Sequence, residues 1–174
     1  MPFYQNKGST PLKRHTVFKF NNKLSYEELV SREGFSSMYS NLYHLHMPTT
    51  VKKVGKFHSI NISKGNTNHQ AHHIKTFDCK STGDAIDSRL PLLFNNDIVI
   101  STSIIDKKMD YFYRNGHSDE LLYVQYGRGV LLTNYGDLCY KEGDYIIIPR
   151  GVIWQLVQDE TTKLLVIEST CPIE

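Results

Sequence analysis

A chain of 174 residues with 40% apolar and 22% charged residues has the make-up of one globular domain, able to bury roughly 70% of its unfolded surface. Its net charge of +2 gives no general attraction to a polyanion, and Lys52, Lys53 and Lys56 form only a small basic cluster, so no nucleic-acid partner is expected. No apolar run approaches the ~18 residues of a membrane span, and the first residues lack the apolar core of a secretory leader. Cys79, Cys139 and Cys171 are odd in number and lack metal spacing. They predict buried, inert thiols in a reducing compartment, and hence a soluble, cytoplasmic protein without a membrane partner.

Residues 1–50 read as an arm with one short helix, and residues 51–174 as the main lobe. Ser25-Tyr26-Glu27-Glu28 has the form of a capping box, flanked by Leu24 and Leu29 as a hydrophobic staple. Gly34 supplies a helix stop. The arm's aromatic residues, among them Phe3, Tyr4, Phe18, Phe20, Phe35, Tyr39 and Tyr43, need a surface to cover, on the same chain or on a neighbouring subunit.

Further along, Asn61 to Asn68 is polar and reads as a loop. Strands are predicted at Ile98 to Ile105, Tyr111 to Tyr113, Leu121 to Tyr126, Val130 to Thr133 and Leu138 to Tyr140. Others follow at Tyr145 to Ile148, Ile153 to Val157 and Leu164 to Ile167. Turn residues separate them at Asn115-Gly116, Tyr135-Gly136-Asp137, Glu142-Gly143-Asp144, Arg150-Gly151 and Asp159-Glu160. Short strands at intervals of about eight to twelve residues indicate a sandwich or barrel.

Glu120 is followed after seven residues by Gly127, and Gly143, Pro149 and Gly151 repeat the turn spacing of a cupin. The resemblance implies a mainly β fold, a double-stranded β-barrel or jelly roll. In a metal-binding cupin a His-x-His pair precedes the glutamate and another histidine lies three residues after the last glycine. Here the pair reads Tyr113 and Asn115, or Arg114 and Gly116 in the other register, and the last position is Trp154. Two histidines and a carboxylate are the usual cage for non-haem iron; one carboxylate cannot hold it. Glu120 and Asp119 are the carboxylate candidates; buried unpaired charge is costly, so Glu120 is expected to meet a cation such as Arg114 or Arg150, or to be exposed. Trp154 is expected to fill the barrel mouth.

A series of strings extends the resemblance to a specific family. They include Met1-Pro2-Phe3-Tyr4, Lys13-Arg14-His15-Thr16, Glu33-Gly34-Phe35-Ser36, Lys75-Thr76-Phe77-Asp78, Pro91-Leu92-Leu93-Phe94-Asn95-Asn96-Asp97 and Met109-Asp110-Tyr111-Phe112-Tyr113-Arg114-Asn115. Gly143-Asp144-Tyr145 and Ile148-Pro149-Arg150-Gly151 complete it. In this order they resemble the N-terminal lobe of homogentisate 1,2-dioxygenase. That family opens the ring of homogentisate with molecular oxygen and Fe(II), yielding maleylacetoacetate in tyrosine and phenylalanine breakdown, and assembles as trimers paired into hexamers. Its iron ligands and catalytic histidine lie in a second, C-terminal cupin lobe. The resemblance therefore implies no catalytic, cofactor-binding or metal residue on this chain, and Fe(II) only in the complete enzyme. It implies two partners, that second lobe and further copies in a homo-oligomer. The chain reads as a fragment, an engineered piece or a shortened relative, inactive alone. The alternative is a free-standing cupin-like module for binding or oligomerisation.

Other candidate groups read as structural. His58, His69, His72 and His73 form the rival metal set, but adjacent His72 and His73 would point to opposite faces of a strand. They are expected to belong to an exposed polar loop. His117 sits one or two positions too late for the motif's histidines. Gly127-Arg128-Gly129 lacks the following helix that would bind phosphate and reads as a hairpin turn. Asn95-Asn96-Asp97 has too few oxygen ligands for a calcium loop and reads as a turn.

Overall fold

A computed structural model describes residues 18–31, 35, 39–56, 62 and 71–173. The chain divides into two compact units, Met1–Asn61 and Ile62–Glu174.

In the first unit, β1 (Lys19–Phe20) and β2 (Lys23–Leu24) form a tight hairpin. Asn21 and Asn22 turn it, with φ of 48° and 60°. Two successive left-handed residues suit the twist of paired strands, and asparagine tolerates that region. A second hairpin pairs β3 (Tyr26–Ser31) with β4 (Tyr39–His44). This corrects the expected helix. The Ser25 backbone N–H, which a capping box would give to Glu28, donates to the carbonyl of Phe18 at 3.0 Å. The Glu28 carboxylate instead meets His44 Nε2 at 2.7 Å, and Leu24 and Leu29 are both exposed. A cross-strand ladder outcompetes a local start signal because it pairs the backbone along the whole segment. Phe18 packs on Tyr43 with ring centroids 5.2 Å apart; Phe3, Tyr4 and Gly34 lie outside the described residues.

Among its described residues the second unit has one 3-10 turn, Thr76–Asp78, followed by ten strands. These are β5 (Thr82–Gly83), β6 (Leu90–Phe94), β7 (Ile98–Ile105), β8 (Tyr113–Arg114) and β9 (Asp119–Tyr126), then β10 (Gly129–Thr133), β11 (Gly136–Tyr140), β12 (Tyr145–Ile148), β13 (Ile153–Gln158) and β14 (Thr162–Ser169). One sheet has the order β12-β9-β14-β7-β5, with β6 also paired to β7; the other runs β11-β10-β13-β8. All pairings are antiparallel except β5 with β7.

From β8 onward the chain passes between the sheets at every connection except the β10–β11 hairpin. Repeated crossing is the cupin-like jelly-roll pattern that the turn spacing predicts. Among the described strands no strand of one sheet pairs with a strand of the other, so they form an open sandwich rather than a closed barrel. Gly127-Arg128-Gly129 is one of these crossings, not a hairpin, since β9 and β10 lie in different sheets. Gly143 and Gly151 have φ of 89° and 85°, values a side chain would strain. The Asn95 carboxamide closes the predicted Asn95-Asn96-Asp97 turn by accepting from the N–H of Asp97 and Ile98.

Strict alternation builds the core. In β9, Glu120, Leu122 and Val124 point inward, and β14 contributes Leu164 and Val166. Leu131, Trp154 and Leu156 come from the opposite sheet, and all eight are buried. Each of the aliphatic side chains stabilises the fold by about 1.5–3 kcal/mol through lost water contact. Among the described residues no helix is long and apolar enough to cross a membrane. The thiols differ from expectation: all are free, but Cys139 and Cys171 are exposed and Cys79 is half-buried.

Candidate functional site: an arginine between two glutamates

The parity that sends Leu122 and Val124 inward also sends Glu120 inward, where it is fully buried. Glu168 of β14 stands directly opposite it on the neighbouring strand. Two facing carboxylates repel each other unless a cation lies between them. Arg89 supplies that cation. Its Nη1 lies 2.6 Å from Glu120 Oε1 and 3.3 Å from Glu168 Oε1. Burial alone would lower the arginine's pKa, but the two carboxylates outweigh it and hold the guanidinium above its ordinary value.

The cupin-motif positions surround this group. Trp154 donates its indole N–H to Glu120 Oε2 at 3.0 Å. Asn115 donates its carboxamide to Glu168 Oε1 at 3.1 Å. Tyr113 packs edge-on against Trp154, with centroids 5.4 Å apart. The Arg89 guanidinium carbon is 5.8 Å from the Tyr113 ring and 6.0 Å from the Trp154 ring, distances at which a cation is attracted to an aromatic face. Burial, reinforced by the Glu120 charge, pushes the Tyr113 phenol up to about 12. Arg89 Nη2 is buried and meets no acceptor among the described residues.

The segment before β6 fixes the arginine. Asp84 Oδ1 accepts from the N–H of Ile86 and Asp87, and its other oxygen accepts from the Tyr111 hydroxyl. Ser88 binds the Asp84 carbonyl and the Ser103 hydroxyl, both at 2.6 Å. Arg89 Nε then donates to the Ala85 carbonyl at 3.1 Å, which orients the guanidinium edge toward the glutamates.

Several expected placements change. The cation on Glu120 is Arg89, which no sequence motif singled out. Arg150 turns to Asp119, with its backbone N–H at 3.0 Å and its Nε at 3.3 Å from Asp119 Oδ1. Asp119 is buried as well, and it accepts from the Ile173 N–H. Adjacent strand residues face opposite ways, so Asp119 and Glu120 take different cations. Arg114 and Gly116 are both exposed. Trp154 is fully buried in the core and donates to Glu120. His117 is exposed and gives only its backbone N–H to Asn115. His72 and His73 are exposed on irregular backbone, and His58 and His69 lie outside the described residues. The sequence signal for a buried cation was the inward parity of both Glu120 and Glu168.

Among the described residues no three His, Cys, Asp or Glu side chains are grouped to hold a metal ion. Iron of the kind the resemblance implies wants two imidazoles beside a carboxylate. The side chains converging here are two carboxylates, a carboxamide, a phenol and an indole, with a guanidinium among them. These residues do not fit Fe(II).

No family model matches the chain. It is 38% identical over 170 residues to the protein of Saccharolobus solfataricus named "Putative dioxygenase SSO1533", a match covering 97% of this chain and 44% of that protein. The chain thus spans less than half the length of that relative. Among solved structures, a cupin-2 domain protein of Shewanella frigidimarina is 18% identical with a TM-score of 0.42, covering 47% of this chain and 78% of that one. KdgF from a Halomonas species is 16% identical with a TM-score of 0.43, covering 48% and 78%. At these low scores the architecture is read from the strand order itself.

Proposed function

We propose that this chain forms the non-ligating lobe of an iron-dependent, ring-opening dioxygenase similar to homogentisate 1,2-dioxygenase. In that role it contributes packing surface and subunit contacts, while Fe(II), oxygen and the aromatic substrate belong to a second lobe. The observation that carries this reading is the 38% identity spread over 97% of this chain but only 44% of a dioxygenase-named relative. The residue set around Glu120 supports it, because both carboxylates are engaged by Arg89, Trp154 and Asn115 and no imidazole stands beside them. Support of this kind raises activity by holding a neighbouring site in productive geometry.

Oxygen uptake tests the reading. The 174-residue chain given Fe(II) and homogentisate should consume no oxygen. A two-lobed protein in which a histidine-bearing cupin lobe follows this sequence should consume it in step with homogentisate. Turnover by the chain alone, or no response of the two-lobed protein to homogentisate, would reject the proposal.

A further inference from the structure

The positions where a cupin motif carries its ligands are spread over three strands: Tyr113 on β8, Glu120 on β9 and Trp154 on β13, with Asn115 just after β8. Tyr113, Glu120 and Trp154 close around one group, the Arg89 guanidinium, and Asn115 binds Glu168, that guanidinium's second carboxylate partner. We infer that Arg89 is a tethered cation: it takes the place a metal ion would hold, pairing Glu120 of β9 and Glu168 of β14 within one sheet and holding in place the carboxylate that the opposite sheet's indole binds, without any metal.

Three independent observations support this. The two carboxylates share one guanidinium nitrogen, Nη1, at 2.6 Å and 3.3 Å, so a single positive charge serves both. The indole of the opposite sheet binds the remaining oxygen of Glu120, which joins the sheets through the ion-paired carboxylate. The arginine is delivered by a segment with its own internal hydrogen bonds, Ile86 and Asp87 N–H to Asp84 and the Ser88 hydroxyl to the Asp84 carbonyl, and a tie to β7 from Ser88 to Ser103. A metal entering the site would have to displace that segment and leave a buried guanidinium without its partners. The inference holds whatever reaction the protein serves.

The test compares unfolding of the chain with that of Arg89→Met and of a neutralised triple variant, Arg89→Met/Glu120→Gln/Glu168→Gln. Removing only the cation leaves two buried carboxylates uncompensated, and the folding equilibrium should fall roughly 100-fold or more. Neutralising the carboxylates as well should recover at least about tenfold of that loss. If Arg89→Met does not fold at all, a triple variant that folds still supports the inference. Equal stability of the single and triple variants would overturn it, as would an Arg89→Met variant as stable as the parent. A second arm uses Mn(II) as a redox-stable probe. A chelator and then added Mn(II) should leave the parent's unfolding midpoint unchanged, and Mn(II)-dependent stabilisation of the parent would also overturn it.

Discussion

Trp154 on one sheet donates its indole N–H to Glu120 on the other, at 3.0 Å, and both side chains are fully buried. Glu120 thus has one oxygen on the tryptophan and the other on Arg89. Trp154 is the chain's single tryptophan, so intrinsic fluorescence reports on this pair directly.

Trp154→Phe keeps an aromatic body but strips Glu120 of a donor. A buried acceptor left unpaired costs about 1–3 kcal/mol, and lost ring volume adds to it. Urea unfolding followed by circular dichroism should show a lower midpoint with an unchanged slope.

Glu120 and Glu168 share a cation but not an environment, their side chains being 1% and 20% exposed. Glu120→Gln should therefore destabilise by about 3 kcal/mol, near the lower end for breaking a buried pair. Glu168→Gln, partly wetted, should cost about 1–2 kcal/mol. The order of the two unfolding midpoints checks the assignment, and the reverse order would contradict it.

Alkaline pH should weaken the fold through its tyrosines. Burial raises Tyr113 and Tyr140 to about 12 from an ordinary 10.0, and Tyr111 is raised as well. Between those values the folded chain keeps phenolic protons that the unfolded chain has released. Unfolding then releases protons, so stability falls as pH rises. The contribution is intact below about pH 10 and is lost toward about pH 12. Denaturant midpoints across that window should drop, with a shallower drop in Tyr140→Phe.

Ser25→Ala discriminates the observed hairpin from the helix its sequence suggests. A true N-cap serine would cost about 1 kcal/mol on truncation. Standing between β2 and β3, it should change stability by less than about 0.5 kcal/mol when truncated. Hydrogen exchange of the first unit, with protection at alternate amides of Tyr26–Ser31, provides the matching readout.

Much of the second unit's strand pattern was legible because the signals are local. Ile98–Ile105 and Tyr145–Ile148 have the bounds that β-branched and aromatic runs between turn residues predict. The β6 strand escaped that reading: Pro91 lies within Leu90–Phe94, and a proline demotes a strand pattern. Its register shift against β7 between Pro91 and Leu93 absorbs the missing donor. The Ser25–Glu28 signal failed for the opposite reason, since a genuine local preference met a partner strand, Tyr39–His44, that no local window contains.

The sequence alone determined which side chains face inward, because side-chain direction alternates along a strand whatever lies across from it. For Glu120 that left either a compensating cation or exposure, while Glu168 lay just past the predicted Leu164–Ile167 strand and was not placed. Only the tertiary structure decided which cation answers. Arg89 lies 31 residues before Glu120, on a segment with no motif, and reaches it because β-sheet pairing brings distant strands within a few ångströms. Periodicity is a property of the backbone and can be read locally; charge pairing across a core depends on sheet order, which no short stretch encodes.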